Sequence, residues 1–86
     1  MQKEWYLLEY ERKPYLHNKL LTLLDFPCSS NHHDHCELCW ARFGQHPTDQ
    51  HVGYYESDEK IWICIDCYTK FKNLFGWSTV DQGTVL

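Results

Sequence analysis

Cys36-Glu37-Leu38-Cys39 and Cys64-Ile65-Asp66-Cys67 are the two segments whose reading decides the fold, and 24 residues separate them. A two-residue gap lets both sulfurs of a pair face one tetrahedral ion, because the intervening turn curls backbone amides toward them. The second pair stands where a strand-like run ends and a helical run begins. A helix N-terminus offers free amides and the positive end of a dipole to an anionic cluster. Four thiolates close a tetrahedral shell. The expected cofactor is therefore one structural Zn2+ on Cys36, Cys39, Cys64 and Cys67, with no position open to substrate.

Working outward, residues 44–50 read as a loop around Pro47. Residues 51–56 and 60–65 read as strands joined by the turn Ser57-Asp58-Glu59, a hairpin. From Cys67 to Phe75 the apolar positions Cys67, Phe71, Leu74 and Phe75 share a helical face, and Gly76 supplies the stop. Knuckle, hairpin, then helix is the order of a treble-clef or zinc-ribbon-like unit, expected over residues 35–77. In the N-terminal segment, residues 1–27, the aromatic run Trp5-Tyr6-Leu7-Leu8-Glu9-Tyr10 leans to strand. Pro14 suits a first helical position, and Leu16, Leu20, Leu23 and Leu24 follow a helical stripe. A helix over residues 14–25, packed on the zinc unit, is the expectation. Residues 28–34 read as a polar linker and residues 78–86 as a small polar tail, either free or docked as an edge strand. The fold class is thus α+β, in a single domain over residues 1–86.

Composition explains why a metal is needed. At 86 residues a lone hydrophobic core is marginal, so a staple is expected, and five Cys with six His point to a metal. The N-terminus shows no charged-then-apolar leader, and no apolar run approaches the about 20 residues of a membrane span. A cytoplasmic location and reduced cysteines are expected, which favours metal ligation over disulfides. The net charge of −4 gives no general attraction to phosphate backbones.

Other groups compete for a role. With the shell complete, His32, His33 and His35 read as a solvated lead-in to the knuckle, and His46 and His51 as surface residues. Cys28 is left over as an inert thiol. His35-Cys36-Glu37 with Cys64-Ile65-Asp66-Cys67 superficially matches a zinc-deaminase signature. That match leaves Cys39 unused, lacks the expected Pro at Ile63, and gives too short a chain for a nucleobase pocket. A nuclease built on the hairpin would need a general base such as His51 and a second ligand after Cys67, and none falls at a convincing offset. No catalytic residue is assigned, and the chain reads as a non-enzyme.

Trp40, Phe43, Tyr54, Tyr55, Trp62, Tyr68, Phe71, Phe75 and Trp77 all flank the two knuckles, more rings than so small a core can bury. Exposed Trp and Tyr anchor protein interfaces. The acidic balance then favours a protein partner, with Glu56, Asp58, Glu59 and Trp77 as candidate contacts for a basic surface such as a toxin or nuclease. The alternative is a nucleic-acid-binding zinc module using Lys60, Lys70 and Lys72 beside exposed rings.

The joined segments Asp34-His35-Cys36-Glu37-Leu38-Cys39-Trp40-Ala41-Arg42-Phe43 and Trp62-Ile63-Cys64-Ile65-Asp66-Cys67, with Lys13-Pro14-Tyr15-Leu16 before and Phe71 to Trp77 after, resemble a family of small bacterial zinc-binding proteins. The resemblance covers about three quarters of the chain. It implies a zinc site at Cys36, Cys39, Cys64 and Cys67 and a bacterial or phage origin, and it assigns no activity. Small acidic proteins of such origin are often immunity proteins or inhibitors, an analogy of size and charge.

Overall fold

The computed structural model describes residues 4–27 and 33–80. Along them run helix α1 (Trp5–Arg12), a single 3-10 turn (Pro14–Leu16), and strands β1 (Leu20–Asp25), β2 (Asp34–His35), β3 (Arg42–Phe43), β4 (Val52–Glu56) and β5 (Ile61–Ile63). Helix α2 (Ile65–Phe75) and strand β6 (Ser78–Val80) complete the α+β fold. A four-stranded sheet has the order β5-β4-β1-β6, and β2 and β3 form a separate two-stranded ribbon. Within the sheet only the β1–β6 pair is parallel.

The N-terminal segment corrects the sequence-based expectation twice. Trp5 to Tyr10 lies in a helix because Tyr6 and Tyr10, four residues apart, fall on one helical face against α2. Tyr6 stacks on Phe71 with ring centres 5.1 Å apart, and Tyr10 meets Phe75 at 5.4 Å. The helix expected over residues 14–25 is instead the 3-10 turn followed by β1. Asn18, at φ +58, breaks any helical run, and its amide donates to the Phe75 carbonyl at 2.7 Å. β1 then pairs with β4 on one side and β6 on the other. Pairing on both edges outweighs the modest helical preference of leucine. The buried residues show the change of period: Leu21, off the expected stripe, is fully buried, whereas Leu20 is 56% exposed and Leu23 41%.

The later elements follow their sequence signals. Glu56 pairs with Ile61 across the hairpin, and α2 ends at Gly76 in the left-handed region, φ +74. The Gly76 and Trp77 amides both return to the Lys72 carbonyl, at 2.9 and 3.0 Å. Residues 78–80 of the tail dock as the edge strand; the rest of the tail, with Cys28 and His32, lies outside the described residues.

Adjacent residues of β4 show the layering, since neighbours on a strand face opposite ways. Tyr54 stacks on Tyr68 of α2 with centres 3.9 Å apart. Gly53 faces the ribbon: a Cβ there would sit 2.5 Å from the Phe43 ring. The sheet therefore lies between α2 and the β2–β3 ribbon. Phe26, Phe43 and Trp62 fill the ribbon side with ring centres 5.1 to 5.7 Å apart. An isolated bridge between Cys36 and Trp62 ties the ribbon to the sheet edge at β5.

Candidate metal centre

The β2–β3 ribbon carries Cys36 and Cys39 in its reversal, and the junction of β5 with α2 carries Cys64 and Cys67. Docking the ribbon on β5 brings these four sulfurs within 4.8 Å of one another, a group that can hold a metal ion. Among the described residues it is the one group of three or more His, Cys, Asp or Glu so arranged. Cys39 Sγ and Cys64 Sγ are 3.6 Å apart. A tetrahedral shell with Zn–S near 2.3 Å has sulfur–sulfur edges of about 3.8 Å. The separation suits metal ligation and is far beyond a disulfide bond of about 2.05 Å.

Backbone amides support the cluster. The Cys64 and Leu38 amides donate to Cys36 Sγ at 3.3 and 3.5 Å, and the Cys67 amide donates to Cys64 Sγ at 3.4 Å. Cys64 is thus both a prospective ligand and the N-cap of α2, which turns the positive end of the helix toward the sulfurs. Cys36, Cys64 and Cys67 are buried and Cys39 is exposed. Hydrogen bonds from Cys64 and then Cys67 hold the Cys36 thiol far below the ordinary thiol range, against the opposing effect of burial. Cys64, donating to Cys36, is pushed up to about 12. Cys67 is pushed up by its bonds to Cys36 and Cys64 and by burial. Without a metal, hydrogen bonds among these sulfurs keep thiol protons in the cluster. A divalent cation would replace those protons and let all four sulfurs become thiolates.

The N-terminal segment grips the knuckle from outside. Lys13 Nζ donates to the Glu37 carbonyl at 2.6 Å while pairing with Glu9 at 2.8 Å. The Tyr15 hydroxyl donates to Glu37 Oε2 at 2.5 Å, and burial, then this bond, push its pKa above the ordinary range. Glu37, the proton shuttle of the deaminase comparison, is held by these contacts. His35 is absent from the sulfur group, its ring lying between those of His33 and Trp40 at 5.4 and 5.3 Å. His51 Nε2 hydrogen-bonds the exposed His46 carbonyl at 2.9 Å.

Two of the expected partner contacts are corrected. Glu56 is 2% exposed, and its carboxylate accepts the Asp58 and Glu59 amides at 3.0 and 2.7 Å, closing the hairpin turn from inside. Trp77 is buried, and its Nε1 donates to the Leu16 carbonyl at 2.8 Å, fastening the end of α2 to the 3-10 turn. Asp58 and Glu59 remain at an exposed tip, with Lys19 3.5 Å from the Asp58 carboxylate. Among the basic candidates, Lys60 is exposed, Lys70 pairs with Asp66 at 3.1 Å, and Lys72 sits over the Tyr68 ring. Hydrogen bonding to Asp66 raises the Lys70 pKa.

By residue type Trp40 is one of many rings, and the structure sets it apart. It is 69% exposed and adopts φ +69, the left-handed region. Its amide returns to the Cys36 carbonyl at 3.1 Å, which closes the knuckle. Gly or Asn takes that conformation at low cost, and a bulky aromatic side chain does not. The signal in the sequence was position: the residue directly after Cys39, where the ribbon must reverse. No family model, curated protein or solved structure matches the chain, so the case for the centre rests on its geometry.

Proposed function

We propose that the chain is a non-enzymatic protein-binding module folded around one zinc ion in a treble-clef arrangement, of the inhibitor or immunity type. All four donors are sulfur, the set that tetrahedral zinc favours, and together they would leave no ligand position for substrate. The observation that carries the binding role is Trp40. A large ring turned to solvent from a strained backbone position contributes little to the fold, and such strain gathers at functional sites. Trp is also the side chain most enriched among interface anchors. Asp58 and Glu59 supply acidic contacts for a basic partner such as a nuclease, consistent with the net charge of −4.

Zinc-loaded chain immobilised against an extract of the source organism tests this. A retained protein is expected, with binding weakened at least about 10-fold by Trp40→Ala, the scale of a hot-spot anchor. Equal retention by the variant would remove Trp40 from the interface. Nucleic acid as the retained species, with affinity collapsing steeply between two salt concentrations, would instead favour a nucleic-acid-binding module.

A stability prediction follows from the same residue. Trp40→Gly keeps the amide that closes the knuckle and relieves the left-handed strain, so the zinc-loaded variant is expected to gain about 1 kcal/mol. Thermal melting of the two loaded proteins measures this. A loss of stability would mean that the ring packs in the fold after all.

A further inference from the structure

We propose that Cys39 is an oxidation site, at which a hydroperoxide converts the centre into a Cys39–Cys64 disulfide and opens it. This rests on the zinc reading of the four-sulfur group. The four sulfurs differ in two ways that matter for reactivity. Cys39 is exposed, whereas Cys36, Cys64 and Cys67 are 1%, 3% and 3% accessible. Cys36 and Cys64 also receive backbone amides, which stabilise a thiolate and blunt it as a nucleophile. A metal-bound cysteine is a thiolate at neutral pH. Susceptibility to oxidation follows thiolate character together with exposure, and reversible oxidation needs a second sulfur close by. Cys64 Sγ, at 3.6 Å, is that sulfur.

The chemistry balances in two steps. The Cys39 thiolate attacks one peroxide oxygen, the O–O bond breaks, and Cys39 becomes a sulfenic acid as hydroxide leaves. The Cys64 thiolate then attacks the Cys39 sulfur, the S–S bond forms, the S–O bond breaks, and a second hydroxide leaves. Two thiolates lose two electrons in total, and one hydrogen peroxide is reduced to two hydroxides. Cys36 and Cys67 remain, too few to complete a tetrahedral shell. Because the new bond joins the ribbon to the α2 junction, it cross-links the two halves of the centre and not the two sulfurs of one pair. Trp40 follows Cys39 directly, so the turn that presents the exposed ring is altered by the same event.

The test uses the zinc-loaded full chain in a Cys28→Ser background, which leaves the four cysteines of the group as the only thiols in the sequence. Hydrogen peroxide is added, released zinc is followed with a chromogenic chelator, and the linked peptides are mapped by mass spectrometry. Stoichiometric zinc release with a Cys39–Cys64 peptide is expected. Cys39→His retains a fourth ligand and is expected to slow the release at least about 10-fold. Limited alkylation of the loaded wild-type centre needs no variant at the ligands, and Cys39 is expected to be modified first. Disulfides confined to Cys36–Cys39 or Cys64–Cys67, or first alkylation at any other ligand, would overturn the proposal while leaving the zinc reading intact. A chain that takes up no zinc before peroxide is added would overturn both.

Discussion

Stripping the metal with a strong chelator at neutral pH is expected to unfold the chain, with loss of near-ultraviolet circular dichroism and a collapse of the thermal transition. A structural zinc site contributes about 10–16 kcal/mol in apparent terms, and a whole domain is stable by only about 5–15 kcal/mol. The structure shows what would be lost. The Glu37 amide donates to the Trp62 carbonyl at 2.9 Å, and the Cys36 amide to the Ala41 carbonyl at 2.8 Å, so the knuckle holds ribbon and sheet together. Cys64 caps α2. Without a cation, three of the four sulfurs lie buried with no metal to neutralise their thiolates. Cys36→Ser and Cys64→Ser are expected to behave like chelation, since each removes a ligand and leaves an unmatched hydroxyl among buried groups. Acid acts in the same direction. Protons compete with the metal for the four thiolates, so metal affinity, and with it stability, declines as pH falls. Unchanged dichroism after complete metal removal would show that the core folds alone.

Phe43→Ala is expected to cost about 3–5 kcal/mol in the zinc-loaded protein, the range for deleting a fully buried ring. Phe43 has no exposed surface and lies against Gly53, with Phe26 and Trp62 at 5.7 and 5.2 Å. The surrounding groups are rings and backbone, which cannot collapse easily into the cavity. Phe43 lies in the strand that follows the reversal holding Cys39, so the loss would also loosen the centre and weaken metal affinity. Urea unfolding in excess zinc reads the cost, with Leu23→Ala as a control because Leu23 is 41% exposed. A Phe43→Ala cost below about 1 kcal/mol would mean that the ribbon is not packed on the sheet as described.

The C-terminal half of the fold was legible because its signals are local. Two C-x-x-C pairs, a turn between alternating strands, and Gly76 after an apolar stripe each act within a few residues, and the structure places the corresponding elements within two residues of expectation. The N-terminal half was not legible because its conformation is set by distant partners. Leu16, Leu20, Leu23 and Leu24 fit a helical period, but the residues of β4 and β6 that pair with Leu20–Asp25 and fix it as a strand lie 27 or more positions away. The site divides in the same way. The convergence of the four cysteines could be read from spacing and chain order. The burial of Glu56 and Trp77 could not, since it depends on a carboxylate turning back into its own hairpin and an indole reaching Leu16. The strain at Trp40 belongs to the backbone, which residue type does not reveal.

The most direct test of the central claim is X-ray absorption spectroscopy at the zinc edge on protein purified with its metal, alongside elemental analysis. One zinc per chain with four sulfur neighbours near 2.3 Å is expected. A shell containing nitrogen, as binding by His35 would give, or a chain carrying no stoichiometric metal, would contradict a centre built from Cys36, Cys39, Cys64 and Cys67.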